Sequence, residues 1–153
     1  MRIISGKFKN KKILLPTDEL TRPLKEVVRE SIFNIIEHSN FIESKILNSS
    51  ILDLYSGSGS FGLECLSRGA SRVDFCENYL PAFKILQKNL NHLDCADHAR
   101  LFNNNVFNFI DSFNKKNVKY DIIFMDPPYK ENKISELLDM IFKKKIFTKE
   151  SLL

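Results

Sequence analysis

The sequence predicts an α/β fold with a doubly wound, mainly parallel sheet. Short apolar runs alternate with segments of helical periodicity along most of the chain, as strands and helices do in such folds. The first apolar run, residues 51–54, leads into three glycines, Gly57, Gly59 and Gly62, around the start of a helical segment. Strand, glycine turn and helix in this order are typical of the first unit of a nucleotide-binding sheet, whose ligands bind beyond the carboxyl ends of the strands.

Length and composition fit one ordinary globular domain over residues 1–153. The chain is 43% hydrophobic and 27% charged. It has no apolar run of the roughly 18 residues that a membrane span needs. The first residues do not resemble a signal peptide, so we expect a cytoplasmic protein with no membrane partner. The cysteines lack the spacing of metal ligands, so no metal site is predicted. They are Cys65, Cys76 and Cys95.

The N-terminal region is strongly basic. Residues 1–16 are interpreted as a small β-hairpin arm outside the main sheet, with strands at 2–4 and 11–15 and a turn at Ser5 and Gly6. The net charge is +4, yet residues 1–12 carry five basic side chains and no acidic one. Such an arm suggests contact with a polyanion, although a solvated charge run would have the same composition. The five side chains are Arg2, Lys7, Lys9, Lys11 and Lys12.

Residues 17–50 are interpreted as a helical region before the core at 51–153. The helix is expected over 24–38, with Arg29 on its polar side. Its predicted apolar stripe consists of Val28, Ile32, Ile35 and Ile36. In the core, strands are expected at 51–54, 72–76, 99–102 and 120–125, and helices at 61–67, 80–93, 106–113 and 134–142. The unbroken apolar run in the fourth of these strands is typical of a strand buried on both faces.

Asp53 lies near the end of the first strand, just before the glycine loop (residues 55–59). A dinucleotide puts its pyrophosphate against such a loop and the helix N-terminus, where a carboxylate would repel it. S-adenosylmethionine has no phosphate and carries an ammonium and a sulfonium, which a carboxylate attracts. Asp53 therefore favours S-adenosylmethionine over a nicotinamide dinucleotide. An aspartate that only caps the loop would occupy the same position.

Glu77 ends the second predicted strand. An acidic side chain at this place typically accepts hydrogen bonds from the ribose hydroxyls of a nucleotide. Enzymes that bind NAD share this feature, so Glu77 supports a nucleoside ligand without choosing one. A surface glutamate that opens the next loop is the alternative.

The segment Asp126-Pro127-Pro128-Tyr129, here called the proline segment, follows the fourth predicted strand. Two prolines after a buried strand fix the backbone and end the strand pairing. The Asp126 carboxylate and a fixed proline carbonyl can accept both hydrogens of an exocyclic amine, and Tyr129 can stack on the base. The segment predicts a pocket for a flipped or single-stranded nucleobase, unless it is only a turn that ends the strand.

With these motifs the chain resembles the class I S-adenosylmethionine-dependent methyltransferases, which have a Rossmann-like sheet. Among them it is similar to the bacterial 16S rRNA guanine-N2 methyltransferases. The Asp-Pro-Pro-Tyr motif also occurs in adenine-N6 DNA methyltransferases, so the opening arm and the segment around Arg29 are what point to the ribosomal RNA enzymes. The resemblance is carried by residues 2–9, 21–23 and 28–34, the glycine loop and the proline segment.

This resemblance implies S-adenosylmethionine as the cofactor and 16S rRNA, free or in an assembling small ribosomal subunit, as the partner. The implied catalytic residues are Asp126, Pro127 and Tyr129. The implied cofactor contacts are Asp53, Tyr55, Gly57, Ser58, Gly59, Glu77 and Asn105. The implied RNA contacts are Arg2, Lys7, Lys9, Lys11, Lys12, Arg22, Arg29 and Pro128.

Two features depart from that family. At the end of the third strand such enzymes often place an aspartate that accepts from the adenine amino group, whereas this chain has Asn105, which carries no charge. Relatives usually continue through a fifth strand and an antiparallel hairpin, whereas this sequence stops at Leu153 as that strand begins. We therefore expect missing C-terminal strands, an unpaired edge on the fourth strand, and either self-association through that edge or marginal stability.

The favoured function is methyl transfer to the exocyclic N2 of a guanine in 16S rRNA. Two alternatives stay open at this point. One is an adenine-N6 methyltransferase that acts on DNA or RNA, which the same proline segment would serve. The other is a shortened RNA-binding protein without catalytic activity.

Overall fold

A computed structural model describes residues 1–18, 24–113 and 118–153. Its strands are β1 Ser50–Leu54, β2 Arg72–Cys76, β3 Ala99–Phe102, β4 Tyr120–Met125 and β5 Phe147–Leu152. Its helices are α1 Glu26–His38, α2 Ser60–Ser67, α3 Leu80–Leu93, α4 Val106–Asp111 and α5 Ile134–Lys144. The strands form one parallel sheet in the order β3-β2-β1-β4-β5. The predicted doubly wound α/β fold is confirmed.

The location of the candidate site follows from the pairing of the central strand β1. Ile51 pairs with Val73 of β2 on one side and with Ile122 of β4 on the other. The chain therefore winds outward from β1 in both directions, and the carboxyl ends of β1 and β4 lie side by side, with Leu54 opposite Met125. The glycine loop and the proline segment leave the sheet at these two neighbouring ends.

Successive side chains of β1 enter two hydrophobic layers on opposite faces of the sheet. Ile51 packs in the layer that includes Phe61 of α2. Leu52 and Leu54 pack in the other layer, which includes side chains of α4 and α5. Because Asp53 alternates with the two leucines, it lies on the face that α2 covers.

The buried face of α1 matches the predicted stripe at Ile36 but not at Val28 and Ile35. Its buried residues are Arg29, Phe33 and Ile36, whereas Val28 is 44% exposed and Ile35 is 59% exposed. The spacing of the buried residues is also helical, so the sequence pattern allowed either face. The prediction placed Arg29 on the polar side because arginine is rarely buried, and it is wrong here because backbone carbonyls of other segments bind the guanidinium.

The expected unpaired edge of β4 is also wrong. β5 lies parallel to β4, with Tyr120 opposite Phe147 and Ile122 opposite Leu152 across a register irregularity. The Ser151 hydroxyl adds a hydrogen bond of 2.8 Å to the Tyr120 carbonyl. The polar residues between these contacts hid the strand pattern in the sequence. Self-association remains a prediction that the single chain does not test.

The N-terminal arm (residues 1–16) lies outside the main sheet, as predicted. Arg2 and Lys12 form an antiparallel bridge, but the predicted tight turn at Ser5 and Gly6 is wrong, because the loop runs on to Asn10, whose N–H donates to the Ile3 carbonyl over 2.9 Å. The arm is docked on the sheet and helices through buried apolar side chains. These are Ile3, Phe8 and Ile13.

No helix within residues 1–18, 24–113 and 118–153 is long and apolar enough to cross a membrane.

Candidate cofactor and nucleic-acid site

Gly57, Gly59 and Gly62 are required for different structural reasons. Gly57 and Gly59 have φ angles of 55° and 85°, in the left-handed region that favours glycine. A Cβ on Gly59 would lie 2.4 Å from Leu86, and one on Gly62 would lie 2.3 Å from the Phe75 ring. A Cβ on Gly57 would meet nothing within 4 Å. The last two glycines thus allow close packing, while Gly57 borders open space that a ligand can enter.

Asp53 is the fourth residue of β1 and is almost completely buried. Its Oδ2 accepts a hydrogen bond of 3.0 Å from the Gly62 N–H in the first turn of the helix. The pKa of Asp53 is raised to about 8, chiefly by burial and to a smaller extent by the carboxylates of Glu77 and Asp126, against the opposing effect of the Gly62 hydrogen bond. The capping role considered for Asp53 is therefore real. Its contact with a cofactor stays a prediction.

Glu77 holds the glycine loop against the end of β2. Its Oε2 accepts from the Gly57 N–H and its Oε1 accepts from the Tyr79 N–H, both over 2.7 Å. Each carboxylate oxygen can accept a second hydrogen bond, so Glu77 keeps capacity for a ribose hydroxyl pair.

Ser56 is a candidate site residue that the sequence reasoning missed. Its N–H donates to the Cys76 carbonyl, which fixes the loop, but its Oγ has no hydrogen-bond partner among the described residues although Ser56 is only 8% exposed. A buried hydroxyl without a partner costs about 1–3 kcal/mol, so a ligand that supplies one is favoured. Its position inside the glycine loop was the signal available in the sequence.

The proline segment lies at the neighbouring strand end, as predicted. Partial burial raises the pKa of Asp126 above its usual range, and the charge of Asp126 contributes in turn to the raised pKa of Asp53. Pro127 is half-buried and Pro128 is exposed, with the Pro128 carbonyl accepting from the Glu131 N–H over 2.8 Å. The Tyr129 side chain is 98% exposed and so is free to stack on a base.

Asn105 begins α4 and caps it, since its Oδ1 accepts from the Phe107 N–H over 2.9 Å. Next to it lies an open cavity of about 570 Å³. The Tyr55 hydroxyl donates over 3.3 Å to Oε2 of Glu131, a residue that lines this cavity. Burial together with that carboxylate raises the pKa of Tyr55 above its usual range. The cavity is lined by Asn105, Phe107, Asn108, Glu131, Asn132, Lys133 and Glu136.

The basic side chains of the arm are exposed, as a polyanion contact requires. The Lys7 and Lys11 ammonium groups lie 5.3 and 5.7 Å from the centre of the Phe8 ring. Arg2 forms an exposed ion pair of 3.0 Å with Glu26, so part of its charge is already neutralised. Arg22 lies outside the described residues.

The part of the arm around Lys7 lies far from the glycine loop. The Lys7 N–H donates to the carbonyl of Ser67, the last residue of α2, over 2.7 Å. The glycine loop precedes the other end of this helix, and eight residues of α-helix span about 12 Å. A nucleic acid that touches both Lys7 and the proline segment would therefore cover an extended surface.

Arg29 cannot be one of the phosphate contacts. It is 0% exposed, and its guanidinium donates to the Arg2 and Ser60 carbonyls, the latter over 3.3 Å. Burial lowers the pKa of Arg29 from its ordinary value. This side chain fastens the start of the arm to the start of α2.

The donor set fits a cationic nucleoside cofactor. Asp53, Glu77 and Asp126 lie at the carboxyl ends of the neighbouring strands β1, β2 and β4, where their ionised forms would attract an ammonium and a sulfonium, and Gly57 borders open space. The unpaired Ser56 hydroxyl can accept or donate one more hydrogen bond. Within the described parts of the chain, no group of three or more His, Cys, Asp or Glu side chains is arranged to hold a metal ion.

Comparisons with known proteins agree with this geometry. A family model described as "Conserved hypothetical protein 95" matches residues 1–153. The "Putative rRNA methyltransferase YlbH" of Bacillus subtilis is 35% identical over 141 residues, which cover 92% of this chain and 73% of that protein. The "Ribosomal RNA small subunit methyltransferase D" of Escherichia coli K12 is 32% identical over 141 residues, covering 92% of this chain and 66% of that protein.

Solved structures share the fold. The "Putative methyltransferase yhhF" of Escherichia coli superimposes with a TM-score of 0.78 at 30% identity, over 94% of this chain and 72% of that one. A hypothetical protein of Thermus thermophilus has the same TM-score of 0.78 at 22% identity, over 97% of this chain and 80% of that one. The chain therefore belongs to the Conserved hypothetical protein 95 family and has the class I methyltransferase fold.

Proposed function

We propose that the protein transfers a methyl group from S-adenosylmethionine to the exocyclic N2 of a guanine in 16S rRNA. The observation that carries this proposal is the adjacency of the glycine loop and the proline segment at the paired ends of β1 and β4. A cofactor site and a base site at these two ends would lie within reach of each other. The names of the relatives, which are ribosomal RNA methyltransferases, support the RNA substrate.

On the cofactor side, S-adenosylmethionine supplies an electrophilic methyl group on a sulfonium. Asp53 and Glu77 would attract its positive charges, with Glu77 accepting from the ribose hydroxyls. The backbone of the glycine loop would lie along it, beginning at Gly57. The wider proposed contact set is Tyr55, Ser56, Ser58, Gly59 and Asn105.

On the base side, Asp126 and the Pro127 carbonyl would accept the two hydrogens of the guanine amine. The lone pair of such an amine is delocalised into the ring, and these hydrogen bonds favour a more pyramidal and more nucleophilic nitrogen held in line with the methyl group. Tyr129, stacking on the base, and Pro128 would fix the plane of the ring.

On the RNA side, the arm would hold phosphates along an extended surface. Lys7, Lys9, Lys11 and Lys12 are exposed there, together with Arg2. Arg22 remains in the proposed set, whereas Arg29 is withdrawn from it because it is buried. A cytoplasmic location belongs to the same proposal, since ribosomal RNA is the substrate.

The proposal is tested by incubating the purified chain with methyl-labelled S-adenosylmethionine and either unmodified 16S rRNA or partly assembled small subunits. Digestion of the RNA to nucleosides should recover the label as N2-methylguanosine. Label in N6-methyladenosine would favour the adenine-specific alternative. RNA binding without label in either substrate would favour a binding protein without catalysis.

A further inference from the structure

Asn89 of α3 is a fully buried side chain that joins the N-terminal arm to the glycine loop. Its Oδ1 accepts from the Leu14 N–H over 2.7 Å. Its Nδ2 donates to the Leu14 and Ser58 carbonyls, each over 3.0 Å. An asparagine amide has two N–H donors and one acceptor oxygen, so this one group can serve both sides. The second half of the arm and the glycine loop are therefore held by the same side chain.

Other contacts of α3 strengthen this connection. Leu86, one helical turn before Asn89, lies directly against Gly59. The Tyr79 hydroxyl donates over 3.2 Å to Asp18 Oδ2, just after the arm, while the Tyr79 N–H donates over 2.7 Å to Glu77 Oε1. Leu86 thus contacts the glycine loop directly, and Tyr79 contacts Glu77, which holds that loop.

We propose that Asn89 is a positioning residue that couples nucleic-acid binding on the arm to the shape of the glycine loop. The proposal rests on the proposed function, because it takes RNA as the ligand of the arm and S-adenosylmethionine as the ligand of the loop. Phosphates bound to Lys11 and Lys12 restrain the segment that leads to Leu14, and Asn89 transmits that restraint to the Ser58 carbonyl. RNA then raises the affinity for the cofactor, and by linkage the cofactor raises the affinity for RNA by the same factor.

The first test measures the Kd of S-adenosylmethionine by calorimetry with and without a saturating RNA hairpin taken from 16S rRNA. In the parent protein the hairpin should tighten cofactor binding by at least about five-fold, the lower end of ordinary allosteric coupling. In Asn89→Ala the two Kd values should be equal, while the hairpin still binds through the unchanged lysines.

Ser67→Ala is the matched control. The Ser67 hydroxyl holds the same arm at its other end, accepting from the Phe8 N–H over 2.9 Å and donating to the Ser5 carbonyl, and it lies at the end of α2 remote from the glycine loop. This variant should keep the five-fold effect. Equal loss of coupling in both variants would show that arm docking in general is responsible, and would overturn the specific role of Asn89.

A second measurement on the parent protein alone keeps the test independent of how the variants fold. Hydrogen exchange at the N–H groups of Gly57, Gly59 and Leu63 should slow when the hairpin is added without cofactor. Unchanged exchange with the hairpin bound, or cofactor affinity that ignores the hairpin, would overturn the coupling and leave the proposed function intact. Failure of S-adenosylmethionine to bind at all would instead refute the proposed function, with the coupling still decided by hydrogen exchange.

Discussion

The Asp53 carboxylate accepts a hydrogen bond of 3.0 Å from the Gly62 N–H, and this contact ties the end of β1 to the first turn of α2. Burial holds its pKa near 8, far above the ordinary value for aspartate. The protonation of Asp53 therefore changes in the range in which the protein would work.

The first prediction concerns cofactor binding and pH. A cationic cofactor favours the ionised form of Asp53, so its affinity should rise as the pH increases from 6 to 8 and become level above about 8. Calorimetry in buffers of different ionisation enthalpy should show proton release on binding at pH 7. Asp53→Asn keeps an oxygen for the Gly62 N–H and should bind with no such pH dependence and with affinity lower by about 1.5–3 kcal/mol. A parent affinity that is flat across this range would exclude Asp53 from the cofactor site.

The second prediction concerns stability in the absence of ligands. The pKa of Asp53 is raised in the folded state, so the folded protein holds its proton to higher pH than the unfolded chain does. Its contribution to the free energy of unfolding is complete below about pH 4 and is lost progressively as the pH rises towards 8. Urea titrations of parent and Asp53→Asn between pH 5 and 8 should diverge, with the parent losing more stability. Parallel curves would contradict the raised pKa.

The third prediction separates cofactor binding from catalysis. Asp126→Ala should bind S-adenosylmethionine nearly as the parent does, while methyl transfer falls by about 10²–10³, because the proposed partner of Asp126 is the base. Asp121→Asn is the control, since Asp121 lies near the other end of β4 and bonds the Ser50 N–H over 2.7 Å. The measurement is the single-turnover rate of methyl transfer by the parent, Asp126→Ala and Asp121→Asn on the same RNA. Transfer by Asp126→Ala at the parent rate would remove the proline segment from the mechanism.

The fourth prediction concerns the basic arm. Replacing Lys7, Lys9, Lys11 and Lys12 with alanine should weaken RNA binding, and the slope of log affinity against log salt should become shallower by about 0.7–0.9 for each lost phosphate contact. Lys143→Ala with Lys149→Ala removes two exposed charges on α5 and β5, outside the arm, and should leave the slope unchanged. If the four-lysine variant shows the parent's slope, the arm is only a solvated charged surface.

The fifth prediction follows from the burial of Arg29. Arg29→Met should lower the free energy of unfolding by about 1.5–3 kcal/mol or more, because the Ser60 and Arg2 carbonyls lose a charged donor. Arg2→Ala removes only an exposed ion pair with Glu26 and should cost at most about 1 kcal/mol. Chemical denaturation measures both. An Arg29→Met protein as stable as the parent would show that the guanidinium does not fasten the arm.

Local patterns predicted the regular elements well and the tertiary contacts poorly. The helix at Leu80–Leu93 was predicted with its observed bounds, because its apolar spacing and first-turn proline are local signals. Arg29 and Asn89 are buried only because distant backbone groups bind them, and no local pattern records such partners.

In the candidate site, too, local motifs predicted the positions of residues but not their tertiary contacts. The positions of Asp53, Glu77 and Asp126 at strand ends followed from the motifs and the parallel topology. The hydrogen bonds that already occupy Asp53 and Glu77 did not, nor did the unpaired hydroxyl of Ser56, since these depend on loop conformation.

The strand order affects when each half of the candidate site can form during synthesis. β1 finds its partner β2 soon after it in the chain, but its other neighbour, β4, is made much later. A growing chain that has emerged only as far as α4 contains Asp53, the glycine loop and Glu77, yet it lacks the proline segment. Contacts between distant segments form late because closing the long intervening chain costs entropy. The half of the site that would hold the cofactor can therefore be assembled during synthesis, while the half that would hold the base is completed only when β4 has inserted beside β1.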